Sequence, residues 1–369
     1  MLATTMATMD KLMKALEALK VIQSPSSTEE AVLQKKKEVC ASAKEKILNC
    51  STVADAICSP SLRSTPDFPK VLGLAMDTFM LCCDDENSDV RLMADECLNR
   101  TIKTLLDSHL GRLLVELFKE IKKDGSARSL RAALSRFGDI CHLMRPQKCR
   151  PYTVNLVPAL AKICQRKDEE SVQETLAIVI TKIMPVLGQF TNDKDIKTLL
   201  KAFLPNLTVT SAIVRRAAAS SLTCICEYSR RPSSFYSWLL SALFELILPV
   251  QDERPVYVTL GVLLCFRHLV PHLNDAMSSP NYKGNVSIMQ NEEDMGVTKE
   301  QILKVYEIAL HFTHHPDHNV ITSTLETLYQ LLKCAPKSLQ QALLSPSGIT
   351  KSLIYTSDIP KLNRIMSES

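Results

Sequence analysis

The sequence predicts an all-α fold, an α-solenoid of helical hairpins preceded by a short amphipathic helix. Three observations carry this. Related segments recur every 40 to 42 residues along the chain. Within each, apolar residues follow the three-and-four spacing of a helix face. Glycine is scarce, nine in 369 residues, against an average usage of about 7%. That scarcity argues against a turn-rich β fold and against glycine-rich phosphate loops.

The first element is "MATMDKLMKALEALKVI", residues 6–22. Met9, Leu12, Met13, Leu16 and Leu19 form one apolar face, and Lys11, Lys14 and Lys20 lie with Asp10 and Glu17 on the other. This is the pattern of a helix that docks on an anionic membrane surface or a partner protein. The alternative is a first helix packed on the array, and the Ser/Pro stretch that follows favours docking. A Ser/Pro-containing stretch over 23–34 is expected to be a flexible linker. A lysine-rich helix then caps an array spanning 35–333.

The array is read from five segments beginning at Ser88, Ala127, Glu169, Ser211 and Asp252, anchored on Val90, Leu130, Val172, Val214 and Val256. Apolar or small residues fall three, four, seven and eight places after each anchor, the stripe of a helix buried on one side. An amphipathic segment precedes each, starting at Phe68, Leu110, Tyr152, Asp195 and Phe235. Each repeat is therefore a hairpin, helix A then helix B. The turn residues Asp85, Asp124, Asp168 and Asp252, with Thr208 in the fourth repeat, are the expected caps of the B helices. A sixth pair starts at Thr298 and His318, after a polar surplus at 274–296 expected to be an inserted loop. Residues 334–369 are expected to hold a short helix and an irregular tail. A period of roughly 40–47 residues is that of HEAT and armadillo arrays.

No stretch of 18 residues is expected to be apolar enough to span a membrane. The 13 cysteines fall mostly inside helical patterns and suggest buried, reduced thiols of an intracellular protein. The net charge of +4 is too small to imply nucleic acid.

Two basic groups stand out. Arg91, Arg131 and Arg215 each follow an anchor directly, with Arg216 beside the last. They are either solvated arginines pairing with the turn aspartates or a rim that meets an acidic partner. Arg145, Lys148, Arg150, Lys162, Arg166 and Lys167 fall in a stretch without an acidic residue. They are either ordinary surface or a patch for anionic lipid or an acidic protein. Only Tyr152 interleaves them, so single-stranded nucleic acid is a poor fit. His311, His314, His315 and His318 have metal-ligand residue types. Their place in a helix-to-helix turn, without cysteine partners nearby, argues against zinc. Cys224 and Cys226 sit two apart on one helix and point to different faces. No catalytic, cofactor or metal residues are expected.

Several strings are more specific than the period. "MATMDKLMKALEALK" resembles the N-terminal amphipathic segment of the huntingtin family. "DVRLMADECLN", "ELFKEIKKDG", "RSLRAALSRF", "RPQKCRPYTVNL", "EESVQETLA", "IKTLLKAF" and "FYSWLL" resemble its N-terminal HEAT region, in the same order, over about residues 6–345. The family's glutamine tract is missing: Lys20 runs into "VIQSPSSTEE", with Gln23 alone. The resemblance implies a short or truncated form of a longer protein. It also implies a non-enzymatic scaffold in vesicle and microtubule-based transport and selective autophagy. Trafficking and autophagy adaptors and huntingtin-associated proteins would be its partners, in cytoplasm and nucleus and peripherally on vesicle or ER membranes. A nuclear transport receptor or a phosphatase-scaffold-like adaptor would share the architecture, but transport receptors need longer, acidic arrays.

Overall fold

The computed structural model describes residues 2–21, 32–248, 254–278 and 296–334. Every regular element among them is helical. The chain divides into two compact units, Met1–Tyr152 and Thr153–Ser369.

In the first unit α1 (Leu2–Val21) packs on α2 (Val32–Cys58), with the short α3 (Pro60–Arg63) and α4 (Phe68–Cys82) alongside. Residues Val32–Gln34, expected in the linker, already belong to α2. Helix α5 runs without a loop from Ser88 to Lys123 and packs on α2, α4 and α6 (Ala127–Ile140). The sequence separates a B helix from an A helix at Leu110. The structure joins them through a kink at His109 (φ −132°, ψ 24°), whose ring meets Phe68 edge-on at 4.7 Å. The helix ends at Asp124 in the left-handed conformation (φ 55°), which a short polar side chain tolerates. Asp124 is thus a C-terminal cap of α5 and not the N-cap of α6.

The unit boundary falls inside α7 (Pro146–Cys164). In the second unit α8 (Glu170–Leu187), α10 (Ala212–Glu227), α12 (Val256–Ser278) and α14 (His318–Cys334) are the B helices, each packed on the next. The A helices α9 (Asp193–Phe203), α11 (Pro232–Ile247) and α13 (Lys299–His311) lie against α10, α12 and α14 respectively. Asn274–Ser278, expected in the inserted loop, extend α12, and Cys334, expected in the tail, ends α14. Residues 279–295 of the insert, and residues 335–369, lie outside the described residues.

The predicted stripe is the core. Val90, Ala94, Cys97 and Leu98 are buried, as are Leu130, Ala133, Leu134 and Phe137; Val172, Leu176, Val179 and Ile180; and Val214, Ala218 and Leu222. The fifth repeat is buried on more than one register. Val256 and Val258 are both half-buried. Thr259 and Leu263, three and seven places after Val256, are buried, and so are Gly261, Val262, Cys265 and Phe266, three, four, seven and eight places after Val258.

The caps also differ from expectation. Asn87 accepts from the amides of Asp89 and Val90, Ser126 from Ser129, Ser211 from Val214, and Asp317 from Asn319 and Val320. These side chains stand three or four places before the anchor, close enough to reach the free N–H groups of the first turn. Asp85 lies five away and instead takes Lys46 Nζ at 2.7 Å and the Asn87 amide at 2.9 Å. Asp168 is exposed, Thr208 donates to the Pro205 carbonyl, and Asp252 lies outside the described residues.

Two core helices do pass the length and hydropathy test for a membrane span, Glu170–Phe190 and Val256–Leu273. Both windows are half-buried within the chain, 56% and 50%. Their hydropathy is that of helices flanked on several sides by neighbours.

Candidate functional site

Two of the helix-start arginines, Arg91 and Arg215, reach back to the turn before their helix. Arg91 Nη1 donates to the carbonyls of Asp85 and Glu86, both at 2.8 Å. Arg215 Nη1 donates to Val209 and Thr210, at 2.8 and 2.6 Å. In both repeats the acceptors lie six and five residues earlier, in the A-to-B turn. Carbonyls that end helix A lack helical partners, and a guanidinium supplies donors in a fixed fork. Arg215 is 8% exposed; burial, and then the neighbouring charge of Arg216, pull its guanidinium below the ordinary arginine range. Arg216 and Arg131 are exposed. The four do not form a rim, because Arg215 braces the turn from inside. The aspartate pairing is also corrected, since Arg91 binds backbone carbonyls while the Asp85 carboxylate holds Lys46.

A second buried device joins the third and fourth repeats. Gln173 Nε2 donates to Ile163 and Arg166 carbonyls, both at 3.0 Å. Asn206 Nδ2 donates to the Cys164 carbonyl at 3.0 Å and to Gln173 Oε1 at 3.3 Å. Ion pairs tie consecutive repeats elsewhere: Arg100 to Asp55 at 2.9 Å and Arg136 to Asp95 in the first unit, Arg231 to Asp193 and Arg267 to Glu326 in the second.

The basic stretch is divided between the two units. Arg145, Lys148 and Arg150 are exposed in the first unit; Lys162 and Lys167 are exposed in the second. Arg166 is engaged with Glu169, through Nε at 2.9 Å and Nη2 at 2.6 Å.

Helix α1 has its apolar face occupied. Leu12, Leu16 and Leu19 are at most 2% exposed; Met9 is half-buried and Met13 37% exposed. Lys11, Lys14 and Lys20 face solvent. The face expected to dock on a membrane or partner is packed against the chain's own α2 to α4, so the lysine side is presented outward, with Met6 and Met13 partly exposed.

The histidines serve their turn. His311 meets Phe312 edge-on, His314 Nδ1 pairs with Thr313 Oγ1 at 2.9 Å, and His315 Nδ1 accepts from the Asp317 amide at 3.0 Å. His318 is exposed. Among the described residues no group of three His, Cys, Asp or Glu is placed to hold a metal ion.

Burial pushes the thiols of Cys83, Cys164 and Cys224 up to about 12. It pushes Cys97 to about 11. Cys82 goes the other way, held down by a hydrogen bond with Cys50, whose own thiol is raised.

The ordered set of repeats has close relatives. The family model for the huntingtin N-terminal HEAT 1 region matches residues 79–231. Huntingtin of Takifugu rubripes is 50% identical over 357 residues, 96% of this chain. The chain belongs to the huntingtin family. It spans 11% of the length of that relative. The HD protein homolog of Dictyostelium discoideum is 25% identical over 448 residues, 87% of this chain and 14% of that protein. Among solved structures, an archaeal HEAT-like repeats protein from Thermococcus onnurineus NA1 is 13% identical with a TM-score of 0.38, covering 80% of this chain and 98% of that one. A designed armadillo repeat protein in complex with the peptide (KR)4 is 16% identical with a TM-score of 0.36, covering 69% and 99%.

Proposed function

We propose that this chain is a non-enzymatic scaffold segment that binds other proteins on the outer faces of its hairpins. One observation carries the reading. Leu48 on α2 and Leu92 on α5, two helices packed on each other, stand 66% and 70% exposed. Their helices spend the core stripe on neighbouring repeats, so these leucines contribute nothing to the hairpin interior. Large exposed apolar side chains on a rigid repeat surface suit partner contact. The family supplies the setting we propose: vesicle and microtubule-based transport and selective autophagy, with adaptor proteins as partners, in cytoplasm and nucleus. Contact with anionic vesicle or ER membranes would use Lys11, Lys14 and Lys20, or require α1 to leave its bed.

Cross-linking mass spectrometry on the full chain in cell extract tests this, comparing it with a Leu48→Asp, Leu92→Asp variant. Cross-links from α2 and α5 to other proteins should fall while the thermal melt is unchanged. Identical cross-links from both chains would refute the assignment of this surface.

A further inference from the structure

Ser233 occupies an unusual position in the second unit. It is the second residue of α11, after Pro232, and its hydroxyl is used twice. Oγ donates to the Ala276 carbonyl at 2.7 Å and accepts from the Val297 amide at 3.2 Å. Ala276 lies near the end of α12, and Val297 lies just before α13. One hydroxyl therefore clasps both ends of the insert between those helices. Gly296 completes the clasp: a Cβ there would run into Ser233 Oγ.

The residues before it are Arg230, Arg231 and Pro232. Both arginines are exposed. Arg231 has φ −132° and ψ 68°, outside the helix. Arg230 donates to the Gln189 carbonyl and Arg231 pairs with Asp193, and exposed ion pairs of this kind are worth little. Serine kinases that select arginine two and three places before the target hydroxyl read this charge pattern.

We propose that Ser233 is a phosphorylation site for an arginine-directed serine kinase, and that the phosphoryl group opens the clasp. The γ-phosphoryl of ATP forms an O–P bond with Ser233 Oγ, the bond to the leaving ADP oxygen breaks, and the hydroxyl proton passes to solvent. The ester oxygen then has no hydrogen to give Ala276. Space enforces the same result. A single carbon at Gly296 has no room beside Oγ, so a phosphorus carrying three oxygens has none. The dianion gains from its place at the start of α11, so the helix remains while the insert ends separate.

The test uses the full chain, a purified arginine-directed serine kinase and MgATP, with phosphopeptide mapping and hydrogen exchange. Phosphate should appear on Ser233, vanish in Ser233→Ala and persist in Ser234→Ala. Replacing Arg230 and Arg231 with Gln should slow its addition by at least about tenfold, the worth of one discriminating contact. The Val297 amide should exchange roughly fivefold faster after phosphorylation, the worth of one lost hydrogen bond. Ser233→Ala should speed that amide similarly without kinase. Phosphate on Ser234 alone, no phosphate at either serine, or a phosphorylated Ser233 with Val297 exchange unchanged would each overturn the proposal.

Discussion

Replacing Gly261 with alanine probes how closely two repeats approach. Gly261 lies in α12, three places after Val258; the matching places after Leu130 and Val214 hold Ala133 and Ala217. A Cβ there would sit 2.9 Å from the Leu207 carbonyl carbon and closer still to its oxygen, with Arg215 Cδ at 3.2 Å. Carbons in contact stand about 3.5–4.0 Å apart, so α12 would have to retreat by at least about 0.6 Å. Neither side yields by rotation, because both are backbone. Val262, Leu207 and Val214 are fully buried here, and the retreat would open their packing. Overpacking costs about 1–3 kcal/mol, and the rigid geometry places this near the upper end. Alanine returns about 1 kcal/mol of helix propensity. The net loss is about 2 kcal/mol, roughly a 30-fold rise in local opening. Gly111 supplies the control: it is exposed, and nothing lies within 4 Å of its added Cβ. Gly111→Ala should stabilise by about 0.5–1 kcal/mol. Hydrogen exchange of amides in α10 and α12, with urea melts of all three chains, reads both effects. If Gly261→Ala is neutral, or stabilises as Gly111→Ala does, the close approach is not a constraint.

Leu12→Ala should release α1, since Leu→Ala in a core costs about 2–5 kcal/mol; amides over residues 9–20 should lose protection, whereas in Lys14→Ala they should not. Equal behaviour of the two variants would mean that the helix is not held by its apolar face. Arg215→Ala leaves two turn carbonyls without their donor and should cost about 1.5–3 kcal/mol, while Arg216→Ala should stay within about 0.5 kcal/mol; equal urea midpoints would refute the inward brace. Thiols raised to about 12 in Cys83, Cys164 and Cys224 stabilise the fold relative to an unfolded thiol near about 8.5. That contribution is complete below this lower value and is lost as pH rises towards about 12, because the unfolded chain sheds its protons first. At pH 8 these three should resist a thiol reagent until urea unfolds the chain, and rapid labelling of the native protein would contradict the burial.

The stripe at three, four, seven and eight was legible because burial of a helix demands apolar residues at that period and leaves few substitutes. The fifth register is less sharp because "VYV" offers valine at both 256 and 258, on a helix with apolar residues nearly all round. Caps were misplaced because the aspartates and the true caps Asn87, Ser126 and Ser211 share one chemistry, and only geometry shows which oxygen reaches an amide. The arginine brace and the Ser233 clasp were illegible for a common reason. Their partners are backbone atoms, which carry no residue identity. For α1 the helix was legible but docking was expected where the structure packs the face on α2 to α4, because an amphipathic helix has one signature whether its apolar face meets lipid or its own chain.

Helix α5 gives the first two repeats a common spine. In an array of separable units, an unfolding front can stop at any junction, since each unit touches only its neighbours. Between these two repeats no loop offers such a stopping place. Two helical stretches meet end to end at the His109 kink, where the backbone leaves helical geometry, with no turn of chain between them. Melting one repeat therefore frays the rod that the other stands on. A cut that removes a single 40-residue module here has only the His109 kink to pass through, so trimming one module bares the end of the helix on which the other rests.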